Sequence, residues 1–177
     1  SHLRRYLPPM VHVREAVSPE DFQRAARLLR DFPRHQREHY KDHLAVVDRY
    51  FDPIAYEEEL RALPAKYGAP DGCVLLGFDD EALAGAVCLH RLDEEACEMK
   101  RLFVAIAHRR KGIAEALSLA LLDAARSKGY TTMRLDTGAF LVESQALYRK
   151  LGFTYTEPYY AVPEVLRDGL VFMQIRL

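Results

Sequence analysis

The spacing of apolar and polar positions changes several times along the chain, and each change marks an element. Val11 to Val17 alternates with the period of two of a half-buried strand. Ser18-Pro19-Glu20-Asp21 then supplies an N-cap, a proline at the first helical position and acids in the first turn. Phe22, Ala25, Leu28, Leu29 and Phe32 follow at helical spacing and predict a first helix with one apolar face. Pro33 to Ala65 holds further helical segments, interrupted at Asp52-Pro53 and near Leu63-Pro64. Strand-like patterning returns at Gly72 to Phe78, Ala82 to His90 and Cys97 to Val104. Asp79-Asp80-Glu81 and Leu92 to Glu95 separate these runs, which predicts three hairpin-linked strands.

Ile113, Leu117, Leu121 and Ala124 then trace one stripe of a long helix ending near Lys128, with Gly129 placed as a left-handed cap. Leu119 and Leu122 lie off that stripe, so the helix is expected to be well covered. Thr132 to Asp136 predicts a fifth strand, Glu143 to Leu151 a short helix, and Gly152-Phe153 its exit. Two more strands are expected around Phe153 to Thr156 and Leu170 to Leu177. The sum is an α/β fold: a mixed, mostly antiparallel sheet of about seven strands flanked by helices, with a central parallel βαβ step.

A chain of 177 residues, 49% of them hydrophobic, suits one domain spanning 11–177. Residues 1–10 form an extension that begins with Ser1-His2, like the scar of a purification tag. With 25 basic against 26 acidic side chains, bulk charge argues against a nucleic-acid or membrane-surface partner. No apolar run approaches the roughly 18 residues a membrane helix needs, and Leu3 to Val11 lacks a signal-peptide core. A soluble, cytoplasmic protein is the expectation. Cys73, Cys88 and Cys97 fall in strand-like runs, which suits buried, reduced thiols better than disulfides.

Chemistry concentrates at Arg109-Arg110-Lys111-Gly112-Ile113-Ala114, where a strand gives way to a helix. The first N–H groups of a helix lack partners within it, and with nearby cations they attract an anion. The small residues Gly112 and Ala114 would let a pyrophosphate approach the backbone, and a side chain at Gly112 would obstruct it. A P-loop is a poor fit, because Ile113 follows Gly112 where Lys and then Ser or Thr are needed. A Rossmann turn needs three glycines where this one has one.

The pattern Arg109-x-x-Gly112-x-Ala114 resembles the acyl-coenzyme-A signature of the GNAT family of N-acetyltransferases. The resemblance runs from about Val11 to the end. It is specific also at the strand Glu98 to Val104 and at Ala146-Leu147-Tyr148-Arg149-Lys150-Leu151-Gly152-Phe153. It implies transfer of an acetyl group from acetyl-CoA to a primary amine by direct attack, without a metal. It further implies that Tyr148 is the general acid near the coenzyme sulfur; a phenol with the ordinary pKa near ~10 stays protonated at neutral pH. Main-chain groups of Leu102, Phe103 and Val104 would hold the carbonyl oxygen and the pantetheine arm. The family often has an asparagine seven residues before the tyrosine; here Leu141 stands there, so that contact is expected to be absent or supplied by Ser144.

Glu98 is the candidate general base, directly or through a water, because a carboxylate in a mostly buried strand needs a reason. Regular alternation would put it on one face with Lys100, Leu102 and Val104; pairing with Lys100 or Arg101 is the simpler reason for its place. Asp136 is a candidate substrate contact that could equally pair with Arg134 or cap a turn. Tyr159 and Tyr160 could line an acceptor pocket or pack over the sheet edge. His35, His39 and His43, spaced by four, suit a polar helix face or a wall of the substrate opening better than a zinc site. The run Glu57-Glu58-Glu59 suits a cationic acceptor or a solvated face. The expected partners are a small-molecule amine and, in a homodimer, a second copy of the chain. A protein acceptor, or a non-catalytic acyl-CoA-binding module, is the alternative.

Overall fold

A computed structural model describes residues 10–177. The tag-like stretch therefore lies, apart from Met10, outside the described residues. The strands are β1 (Val11–Glu15), β2 (Cys73–Asp79), β3 (Ala82–Arg91), β4 (Ala96–Val104), β5 (Thr132–Gly138), β6 (Thr154–Thr156) and β7 (Leu170–Arg176). The helices are α1 (Pro19–His39), α2 (Leu44–Tyr50), α3 (Pro53–Arg61), α4 (Leu63–Tyr67), α5 (Ile113–Ser127) and α6 (Val142–Leu151). The strands form one sheet in the order β1-β2-β3-β4-β5-β7-β6. Every pairing is antiparallel except β4 with β5, which α5 connects as the expected parallel step.

The start of α1 follows from its sequence. Ser18 Oγ accepts from the Asp21 N–H at 3.1 Å, Asp21 accepts from the Ser18 N–H, and Arg14 grips Asp21 at 2.8 and 2.9 Å. The first helix, whose apolar face was traced as far as Phe32, continues through Pro33 to His39. The proline gives up one helical N–H, and burial of Leu29, His35 and Gln36 on either side offsets that loss.

Helices cover both faces of the sheet. Ile113, Leu117, Leu121 and Leu122 of α5 pack on one face with Val87, Leu89 and Met133. Gly77 and Gly85 make this approach close, since a Cβ at Gly77 would stand 2.9 Å from Ile113 Cγ2 and one at Gly85 3.1 Å from Leu117 Cδ1. The expectation that α5 is well covered holds at Leu122, which is buried, and not at Leu119, which is 48% exposed. On the opposite face Leu29, Val47, Tyr56 and Leu63 from α1 to α4 pack on Leu76, Phe78, Ala86 and Phe103. Cys73, Cys88 and Cys97 are buried and unpaired, as expected. Among the described residues no helix is long and apolar enough to cross a membrane.

Two irregularities prepare a site. First, β4 and β5 pair only from Ala96–Glu98 to Thr132–Arg134, after which β4 follows β3 and β5 follows β7. Second, β4 bulges: Cys88 faces Lys100 and Ala86 faces Phe103, so Arg101 and Leu102 together oppose Val87. Arg101 takes φ +59° to make the bulge. The alternation expected for β4 is therefore wrong beyond Lys100. Phe103 joins the core under α1 to α4, while Leu102 and Val104 pack with Met99 on the α5 face.

Candidate active site

A cleft of about 550 Å³ opens where β4 and β5 part. Leu102, Phe103 and Val104 line its β4 side, Leu135 to Gly138 its β5 side, and Ser144, Leu147 and Tyr148 of α6 close one flank. Arg109, Arg110, Gly112, Ile113 and Ala114 bring the start of α5 to the same space. Gly112 precedes α5 at φ +78°, after Arg110 at φ +63°, and no side chain caps the helix. The first N–H groups of α5 are thus left for a ligand. An ideal Cβ at Gly112 meets no atom of the described residues within 4 Å, so among them it is the positive φ that calls for glycine.

The basic residues of this loop divide their work. Arg109 Nε donates to the Val104 carbonyl at 3.0 Å, tying the loop to the end of β4. Lys111 does not line the cleft: its Nζ donates to Asp79 Oδ2 at 2.5 Å, beside His108 Nδ1 at 2.8 Å. Lys111 and His108 hold the Asp79 carboxyl below its ordinary pKa against the opposing effect of burial. Lys111 therefore braces the loop from outside.

Tyr148 is buried against Phe153, at a ring separation of 5.8 Å, and its hydroxyl makes no hydrogen bond with the described residues. Burial, and then the charge of Asp136, raise its pKa above that of an ordinary phenol, so it stays protonated. Leu141 and Ser144 both line the cleft.

Asp136 also lines the cleft, and its partner is Lys100 across the splay, at 3.0 and 3.1 Å, rather than Arg134. It accepts further bonds from Tyr50 and, at 2.6 Å, from Tyr160. Burial pushes its pKa up, but Lys100 and the two phenols outweigh that and keep it ionised. Glu98 is buried and does not line the cleft. His90 Nε2 lies 2.6 Å from its Oε1, the Tyr159 hydroxyl donates to Oε2, and Lys100 Nζ is 3.7 Å away. Burial again acts upward on its pKa, and His90 and Lys100 bring it net below normal. Tyr159 and Tyr160 do not line the cleft either. They rest on Phe172 at 5.4 and 5.3 Å and hold the two carboxylates from behind.

Lys100, expected only as a partner for Glu98, is the hub between Glu98 and Asp136, and Tyr50, not singled out from the sequence, bonds to both Lys100 and Asp136. His90 was findable, since hairpin pairing of β3 with β4 sets it opposite Glu98. Glu59, expected to face a cationic acceptor or to lie on a solvated face, is instead largely buried against Arg101 at 2.8 Å and Lys66 at 2.9 Å. The three histidines do not share one helix face, because α1 ends at His39. His35 is buried, lines the cleft, and stacks on His39 at 4.0 Å, whereas His43 stacks on Phe140 at 4.3 Å. Burial pushes the His35 pKa down to about 4, with help from Arg109 and His39. Among the described residues no group of three or more His, Cys, Asp or Glu is placed to hold a metal ion.

Comparison with known proteins bears on what this cleft does. The model of the acetyltransferase (GNAT) family matches residues 26–153. An uncharacterized N-acetyltransferase of Schizosaccharomyces pombe is 36% identical over 123 residues, covering 68% of this chain and 74% of that protein. Human N-acetyltransferase 8 is 37% identical over 89 residues, covering 48% of this chain and 39% of its own length. An acetyltransferase from Streptococcus agalactiae superposes with a TM-score of 0.71 at 17% identity, covering 94% of this chain and 98% of that one. A GNAT family acetyltransferase from Elizabethkingia anophelis, solved with acetyl-CoA bound, gives 0.58 at 18% identity over 94% of this chain and 98% of that one.

Proposed function

The chain belongs to the acetyltransferase (GNAT) family and is an acetyl-CoA-dependent acyltransferase, and we propose that it acetylates a primary amine of a small molecule. The observation that carries this reading is the meeting of three features in one cleft. They are the uncapped start of α5, the splay between β4 and β5, and the hydroxyl of Tyr148, which has no partner among the described residues. A phosphate cradle alone would suit a binding module; a protonated phenol held without another partner suits catalysis.

In this account the pyrophosphate of acetyl-CoA takes the first N–H groups of α5, with Arg109 and Arg110 beside it. The acyl arm runs along the part of β4 that no longer pairs with β5, where main-chain groups of Leu102, Phe103 and Val104 are available to the thioester oxygen. The neutral amine nitrogen attacks the carbonyl carbon, the C–N bond forms and the C–S bond breaks. Tyr148 gives its hydroxyl proton to the departing thiolate, and the nitrogen's surplus proton leaves through water and restores the phenol. The same burial that raises the phenol pKa also raises the basicity of the thiolate, which keeps the transfer matched. Glu98 works at one remove, since both its oxygens are engaged and it stands behind the cleft wall. It joins Asp136 in fixing Lys100. No step calls for a metal. Cytoplasmic residence belongs to the same proposal, supported by three unpaired buried thiols.

The test is thiol release from acetyl-CoA across a panel of primary amines, with each product weighed by mass spectrometry. The reading expects at least one amine to gain an acetyl group as thiol appears; thiol release without any acetylated amine would contradict it.

A further inference from the structure

The acyl-donor end of the cleft comes from α5, on one face of the sheet, while its far wall comes from the other face. There Phe32, Tyr40, Val47, Phe51 and Phe140 turn toward the same space. Tyr40 and Phe140 meet at 4.9 Å and Phe32 and Phe51 at 4.9 Å, so the wall carries two aromatic pairs. Resting on the acyl-transfer reading above, we infer that the acceptor is a singly charged amine on an aromatic or apolar body, an aralkylamine rather than an amino acid or a polyamine.

The charged groups around the cleft support this choice. An amino acid would need a cation for its carboxylate, and those near the wall are committed. Lys100 is held by Asp136 and Glu98, and Arg101 by Glu59. Arg109 and Arg110 stand at the start of α5, where the phosphates need them. His35, also on this wall, is neutral at pH 7, because burial pushes its pKa down to about 4. Leaving a carboxylate unpaired on such a surface is costly. A polyamine would need several free carboxylates, whereas of the acids lining the cleft Asp136 already accepts from Lys100, Tyr50 and Tyr160, Glu115 is paired with Lys150, and only Glu143 has no bond among the described residues. One positive charge is suited, since Asp136 in the wall and Glu98 behind it carry two negative charges against the single ammonium of Lys100. An apolar body carried by that one amine then gains by covering the aromatic wall.

The experiment compares kcat/KM for phenethylamine, ethylamine, phenylalanine and spermidine at saturating acetyl-CoA. Phenylalanine is phenethylamine with a carboxylate added, and ethylamine lacks the ring. The inference expects phenethylamine to exceed each of the other three by about ten-fold or more. It also expects Phe140→Ala to shrink the preference for phenethylamine over ethylamine. Equal or better turnover of phenylalanine or spermidine would overturn the substrate class while leaving acyl transfer standing. If no amine is acetylated although acetyl-CoA binds, the acyl-transfer reading itself fails and this inference with it.

Discussion

Arg101 and Glu59, forty-two positions apart in the chain, meet in a two-pronged ion pair, Nε to Oε2 at 2.8 Å and Nη2 to Oε1 at 3.2 Å. The pair ties α3 to the one residue of β4 whose backbone turns left-handed. Tyr50, Phe51 and Tyr56 surround the guanidinium, with ring centroids 5.5, 5.3 and 4.8 Å from its carbon. Glu59→Gln leaves that cation short of its partner and is expected to destabilise the fold by about 3 kcal/mol, read by urea unfolding. It should also lower kcat/KM, because the bulge sets the path of Leu102 and Phe103 along the cleft. A variant as stable and active as the wild type would show that the pair does not hold the bulge.

The same pair predicts an acid dependence. Burial alone would raise the Glu59 pKa, yet Arg101 and Lys66 hold it down at about 2 from a starting value of 4.5. A carboxyl whose folded pKa is depressed contributes stability that is complete above its unfolded value and is lost as pH falls toward the folded one. Unfolding free energy should therefore drop between about pH 4.5 and about pH 2, and Glu59→Gln should lessen that drop. An identical acid slope in the variant would exclude Glu59 as its source.

His35 acts in a higher window. Its pKa is pushed from 6.5 down to about 4, chiefly by burial, so the unfolded chain takes up a proton that the folded chain refuses. Stability is expected to decline as pH falls from about 6.5 to about 4, and His35→Gln should reduce that decline. Thermal unfolding midpoints across this range measure it; unchanged pH dependence in the variant would contradict the assignment.

Tyr148→Phe removes a hydroxyl that has no partner among the described residues, so the fold has little to lose. Turnover should fall by about ten-fold or more while the Kd for acetyl-CoA stays close to wild type. An unchanged kcat would remove Tyr148 from the acid role.

Asp79→Asn weakens the brace that Asp79 provides to Lys111 and His108. The phosphate-binding loop should then hold acetyl-CoA about five-fold less tightly, with kcat little changed at saturation. Equal affinity would mean that the loop keeps its shape without the brace.

Much of this was legible in the chain because the signals were local. Hydrophobic spacing gave α5, Asp79-Asp80-Glu81 the turn between β2 and β3, and the Arg109 to Ala114 run the helix start that lines the cleft. What escaped depends on contacts between distant residues. The β4 bulge is made by an arginine rather than a glycine, so no conformational signal marks it, and its hold comes from Glu59 in another element. The same is true of the pairing of Lys100 with Asp136, for the sequence offered Lys100 only as a partner of Glu98 until β5 brings Asp136 to it. Continuation of α1 through Pro33 was likewise decided by burial on both sides, which overrode the local preference.

Calorimetric titration of acetyl-CoA into the wild-type protein and into Gly112→Glu tests the central claim most directly. The variant sets a bulky carboxylate, at φ +78°, beside the free N–H groups at the start of α5. The account predicts saturable one-site binding to the wild type and none measurable to the variant. Absence of binding to the wild type, or equal affinity in both, would contradict the placement of the acyl-CoA site in this cleft.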